Sequence, residues 1–150
     1  MNVGVYVSSL GNNDLLKSAS DGVNKVILEN LVDDACIFYD NVGYMPFEFN
    51  CGMFNSSDLW NFSGKLITTS LSTAISSLRI VNNIDIYYYY GWDDSQLNTL
   101  SIIQLLKSGV RFIALSDTFA KDFYRKTGHR TICTSNDWYV VIKHLRDTQQ

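Results

Sequence analysis

The chain has 150 residues, of which 46% are hydrophobic and 13% aromatic, enough for one domain (1–150) with its own core and too much for a disordered segment. Its net charge is −3, so no basic stripe of the kind nucleic acids require is expected. No apolar run is long enough to span a bilayer, so neither a nucleic acid nor a membrane is expected as a partner.

The acids are lopsided, with glutamate only at Glu29 and Glu48. The Asn, Ile, Tyr and Lys usage resembles that of an AT-rich genome, such as a virus or phage. Cys36, Cys51 and Cys133 are widely spaced and form no CxxC pair, so neither a disulfide framework nor a zinc site is expected. A reducing, cytoplasmic setting follows, which would be the host cytoplasm for a viral protein. The opening MNVGVYVSSLGNND has no basic or apolar leader region.

In chain order, NVGVYVSS is a β-branched strand and LGNNDLLKSAS a polar loop. A helix then carries Val23, Val26, Ile27 and Leu31 at helical spacing, with Ser20 or Asp21 as its cap. ACIFYDN reads as the second strand. The aromatic stretch 42–62 is irregular and holds an edge strand around 48–54. GKLITTSL is a strand and STAISSLRI a short helix capped by Ser72. NIDIYYYY is the next strand. The helix in DDSQLNTLSIIQLLKSG is capped by Asp93, Asp94 or Ser95 and stopped by Gly109. VRFIALS is a strand, DTFAKDFYRKTG a helix ending at Gly128, HRTICTS a strand, and NDWYVVIKHLRD a last helix capped by Asn136 or Asp137.

Strands alternate with helices, and most strands are continuous apolar runs. This is the pattern of an α/β fold: a three-layer, doubly wound sandwich with a mostly parallel sheet. In such a sheet Tyr87 and Tyr89 face one helical layer while Tyr88 and Tyr90 face the other. Gly91, Trp92, Asp93 and Asp94 then lie at the carboxyl end of the strand, where open α/β sheets bind ligands.

Several chemistries have no motif here. GxGxxG, GxxxxGK[ST] and GxSxG are all missing, and HxT occurs once, at His129, where the phosphoesterases that use it need two copies. Asp93 and Asp94 suit acid–base or metal chemistry, or else cap the following helix. Ser116 and Asp117 occupy the matching place after the VRFIAL strand, and Asp40 the place after the second strand. Lys121, Arg125 and His129 are spaced to share a helix face that contacts phosphate or simply meets solvent. Trp60, Trp92 and Trp138 serve either sugar stacking or packing.

From GKLITTSLSTAISSLRI through NIDIYYYYGWDD and VRFIALSDTFAKDFYRKTGHR to TICTSND, the chain resembles the N-terminal Rossmann-like domain of GT-B glycosyltransferases, of the retaining glycogen-synthase and sucrose-synthase type. The resemblance covers the order of elements over 1–138. Enzymes of that family carry two such domains, with the nucleotide-sugar mostly on the second and an ExxxxxxxE pair there; this chain ends where the second would begin. The usual Gly-Gly of the first loop is replaced by isolated Gly11 and Gly22, and Gly91-Trp92-Asp93 stands where a His is usual.

The resemblance implies a stand-alone half domain acting as a binding or accessory protein, as a homo-oligomer or beside a protein partner. Alternatively it is a glycosyltransferase component completed by a separate donor-binding chain, with Asp93 or Asp94 near the acceptor and Asp40 and Ser116 lining the cleft. No metal or other cofactor is implied. A third expectation is a small nucleotide- or phosphate-binding module. The expected ligand contacts are Asp40, Trp92, Ser116, Lys121 and Arg125, and the expected small-molecule partner a nucleotide-sugar.

Overall fold

The computed structural model describes residues 1–148. Seven strands form one sheet: β1 (Asn2–Ser9), β2 (Asp34–Asn41), β3 (Gly52–Asn55), β4 (Gly64–Thr68), β5 (Ile84–Tyr90), β6 (Arg111–Ala114) and β7 (Cys133–Thr134). Their order is β3-β2-β1-β4-β5-β6-β7, and every pairing is parallel. The chain moves outward from β1 to β3, returns to β4 on the other side of β1, and moves outward again. The switch point lies between β1 and β4.

Five helices cover the sheet: α1 (Asp14–Leu28), α2 (Leu71–Leu78), α3 (Thr99–Lys107), α4 (Asp117–Thr127) and α5 (Trp138–Asp147). On one face Val3, Val5, Val7, Tyr87, Tyr89 and Ile113 pack against Leu16, Val23 and Val26 of α1 and Trp138, Val141 and Ile142 of α5. On the other, Tyr88, Tyr90 and Phe112 meet Ala74 of α2, Ile102 and Leu105 of α3 and Phe123 of α4. All four tyrosines of the YYYY run are at most 3% exposed, and they split between the faces as strand alternation requires. No helix among the described residues is long and apolar enough to cross a membrane.

Three helix starts differ from the sequence expectation. α1 begins at Asp14, not near Ser20, because Asn13 accepts from Leu16 N at 2.9 Å and caps it. Ser20 lies inside that helix and its hydroxyl donates back to Lys17 O. α2 is capped by Ser70, not Ser72, in a reciprocal capping box with Thr73. α3 begins at Thr99 behind Asn98, which accepts from Ser101 N at 2.8 Å, so Asp93, Asp94 and Ser95 precede it in the connecting loop.

Other boundaries move less. α4 ends at Gly128 in the left-handed conformation (φ 72°), and Asp137 caps α5 by accepting from Tyr139 N. The last strand shrinks to two residues. The edge strand sits at Gly52–Asn55, slightly later than 48–54. The irregular stretch before it is tied to α1 by Asn24. Its amide donates to Glu48 O and accepts from Asn50 N, both at 2.8 Å.

Candidate functional site

The carboxyl ends of β1, β5, β6 and β7 open into a cleft of about 580 Å³, within the range of small-molecule sites. α1 contributes Asp14, Lys17, Ser18 and Asp21. The β5–α3 loop contributes Trp92, the β6–α4 loop Ser116, and the β7–α5 loop Asn136. Ser18 Oγ donates to Asn136 O at 3.5 Å, joining two of these walls.

Trp92 is placed by its neighbours. Its ring stacks on that of Trp138 (centroids 6.4 Å apart, 24°) and meets Tyr89 edge-on at 5.9 Å. Tyr89 is fixed in turn by donating its hydroxyl to Ser135 O, and burial pushes its phenol well above the ordinary range. The strand end turns into this loop at Gly91, with φ 121°. A Cβ there would meet Leu115 Cβ at 2.7 Å, so the position needs glycine both for its backbone and for space. The indole Nε1 atoms of Trp92 and Trp138 are both buried, and that of Trp92 lies beside the Tyr89 hydroxyl, where it offsets part of the rise that burial causes. Ser116 occupies the N-cap of α4, but its hydroxyl makes no cap bond, leaving it free to face a ligand.

Asp93 and Asp94 leave Trp92 on its own in the cleft. Asp93 is exposed and accepts from Ser95 Oγ at 3.0 Å. Asp94 is half-buried on the opposite face of the sheet's end, where Tyr88 donates to its Oδ1. Burial lifts the Asp94 carboxyl to about 6, and the hydrogen bonds from Tyr88 and the Gly91 backbone offset only part of that rise. Neither aspartate caps α3, contrary to the local reading, because Tyr88 draws the loop back onto the strand.

Asp40 lies inside β2, one residue before its end rather than past it, and accepts from Tyr6 OH at 2.6 Å. Burial, followed by this bond, raises the Tyr6 phenol to about 12. Tyr6 belongs to the third apolar cluster, with Phe38 and Leu66, on the face away from α1. Asp40 and the cleft residues Trp92 and Ser116 are therefore not brought together. Beside Tyr6, Ser70 Oγ contacts Ser8, Ser72 and Thr73 hydroxyls at 3.1–3.2 Å at the switch point.

The Lys121–His129 face divides. Lys121 lines a separate groove of about 460 Å³ with Asp117, Tyr124, Arg130, Thr131 and Thr134. Arg125 is instead bound to Asp122 at 2.6 Å, and Lys126 joins the same carboxylate at 2.9 Å. His129 is exposed, and its backbone N–H donates to Thr127 Oγ1.

The α1 side of the cleft escaped the sequence reading, which took 10–20 as a loop. Asn-Asn-Asp directly before Leu15 and Leu16 was the available signal, since it is a capping pattern followed by an apolar pair. Among the described residues no three His, Cys, Asp or Glu side chains converge as metal ligands. No protein family, curated protein or solved structure matches the chain.

Proposed function

We propose that the chain is a binding half domain of the GT-B type, non-catalytic by itself, that holds a polar ring-bearing ligand of the nucleotide-sugar class and works beside a protein partner. The observation that carries this reading is Trp92: a half-buried indole at the carboxyl end of β5, in one cleft with Ser116, Lys17 and the carboxylates Asp14 and Asp21. Aromatic rings that stack, hydroxyls that exchange hydrogen bonds and carboxylates that accept them suit a sugar or a nucleoside. The all-parallel doubly wound sheet agrees with the resemblance to GT-B half domains. Three free thiols fit a cytoplasmic protein, and the residue usage fits a phage or viral one.

A second reading, a glycosyltransferase component completed by a donor-binding chain, is favoured by Asp94. A carboxyl held near 6 at the productive end of a sheet is suited to proton transfer. Sugar transfer by the purified chain alone would replace the first reading with an enzyme. Loss of that transfer in Asp94→Asn would assign the proton to Asp94.

Thermal denaturation with a panel of nucleotide-sugars, free nucleotides and free sugars tests the binding reading. A ligand at 100 times its Kd adds about 2.7 kcal/mol, which raises Tm by roughly 5–10 °C for a domain of this size. One ligand should produce that rise in the natural chain and lose most of it in Trp92→Leu. No rise with any member of the panel overturns the reading.

A further inference from the structure

Two openings of this sheet lie end to end. The cleft around Trp92 is bounded on one side by Ser116 and Asn136. The groove of about 460 Å³ between α4 and the β7 edge starts at Asp117, directly after Ser116, and at Thr134, two residues before Asn136. From there it follows α4 past Lys121 and Tyr124 to Arg130 and Thr131, in the segment that leads into β7. A ligand longer than one ring can therefore occupy both.

The two openings differ in charge. The cleft sets one amine, Lys17, against the carboxylates Asp14 and Asp21. The groove sets two cations, Lys121 and Arg130, against one carboxylate, Asp117. Asp122 holds Arg125 and Lys126. Among the described residues neither Lys121 nor Arg130 forms an ion pair. The cations on and after α4 thus divide, with one pair neutralised and the pair that borders the groove left without a counter-ion. The Arg130 guanidinium lies over the Tyr124 ring, 6.0 Å from its centroid, which holds it beside the groove. At the seam between the two openings no side chain caps α4, so Ser116 Oγ and the first-turn N–H groups add donors there.

We propose that this groove holds the phosphate groups of the ligand whose ring lies in the Trp92 cleft, so that the two openings form one elongated site for a sugar carried on a diphosphate. The ring comes from the binding reading above; the phosphate contact stands on the groove itself. A neutral sugar would fill the cleft and leave both groove cations unanswered. A nucleotide-sugar placed wholly in the cleft would set its diphosphate against Asp14 and Asp21. Spanning the seam puts the ring on the indole and the phosphate oxygens between Lys121 and Arg130, where charge-assisted hydrogen bonds form.

The test is a titration of the ¹⁵N-labelled chain with inorganic pyrophosphate and with UDP-glucose, followed by amide shifts and the Trp92 indole resonance. Pyrophosphate should give saturable shifts centred on Lys121, Tyr124 and Arg130, and added salt should weaken them. UDP-glucose should move the same amides and the Trp92 indole together. The double variant Lys121→Gln, Arg130→Gln changes only exposed side chains and should bind UDP-glucose at least about tenfold more weakly. Groove shifts with an unmoved Trp92 indole would support the phosphate site and remove the ring seat in the cleft. Groove amides unmoved by both probes, pyrophosphate shifts centred on Lys17, or unchanged affinity in the double variant would each overturn the proposal, whatever the Trp92 indole does.

Discussion

Tyr88 OH lies 3.2 Å from Asp94 Oδ1 and donates to it, joining the second position of β5's YYYY run to the loop that follows. The same hydroxyl sits 3.2 Å from Asp93 O, so one buried phenol holds two points of the loop. Its ring stacks on Phe112 at 5.2 Å, which fixes where that hydroxyl emerges. The loop thus divides at the sheet's end, with Trp92 going to the α1–α5 side and Asp94 to the α2–α4 side.

This arrangement predicts a stability effect whose size depends on pH. Burial raises the Asp94 carboxyl from 3.8 to about 6 in the folded chain, so folding takes up a proton between these values. Stability from this group is therefore present at low pH and lost as pH rises from about 4 through 6. The rise corresponds to at most about 3 kcal/mol, reduced to about 1–2 kcal/mol by partial solvent access. Asp94→Asn keeps an acceptor for Tyr88 and removes the charge. Urea denaturation should find it about 1–2 kcal/mol more stable than the natural chain at pH 7.5 and equal to it at pH 4. A less stable variant at pH 7.5 would mean that the ionised carboxylate makes a favourable interaction in the folded chain.

Gly91 sets the direction of the same loop. A side chain there would have to adopt φ 121° and overlap Leu115 Cβ. Gly91→Ala should cost about 2–4 kcal/mol, combining backbone strain with a contact the strand cannot relieve. Because Trp92 is the next residue, its emission spectrum should also change while far-UV circular dichroism is kept. Unchanged stability together with unchanged emission would remove Gly91 as the hinge of the site.

Gly22 predicts a defect at the other wall. A Cβ there would fall 2.4 Å from Trp138 Cβ and 2.7 Å from Tyr139 N, where α1 crosses the start of α5. Alanine would gain about 1 kcal/mol of helix propensity, but α5's backbone cannot yield to the new methyl group. The net effect of Gly22→Ala should be a loss of about 1–3 kcal/mol, read as a lower urea midpoint with unchanged slope. A gain would show that α1 and α5 can separate at no cost.

The layered fold was legible because it rests on periodicity. YYYY reads as a strand covered on both sides, and its rings divide accordingly. Helix starts were less legible, because local capping competes with tertiary hydrogen bonds. Asp93 and Asp94 look like caps until Tyr88 claims Asp94, after which Asn98 takes the role further on. The site was legible only where it follows the sheet: Trp92 and Ser116 sit at strand ends, and strand ends can be counted. Asp14, Lys17 and Asp21 reach the same cleft through the packing of α1 across the sheet, a long-range contact with no local signature. Arg125 shows what spacing omits: it lies one turn from Lys121 on α4, as the spacing suggested, and is also paired with Asp122.

Asp122 joins α4 to the sheet and carries the last prediction. It accepts from Tyr90 OH, from Arg125 and from Lys126, whose Nζ also donates to Tyr90 OH at 3.2 Å. The Tyr90 hydroxyl first, and Lys126 next, hold its carboxyl down at about 2. A depressed acid contributes stability above its unfolded value near 4 and loses it as pH falls toward 2. Asp122→Asn should cost about 1 kcal/mol at pH 7, a figure discounted for the solvent-facing side of the cluster. The deficit should shrink as pH falls from about 4 toward 2, where the natural carboxyl is itself half protonated. Tyr90→Phe removes the buried donor, and the double variant should lose less than the sum of the singles by about 0.5–1 kcal/mol. Strict additivity in that cycle would mean that Asp122 serves only its surface cations, and that α4 is held to β5 by the packing of Phe119 and Phe123 on the Tyr90 ring.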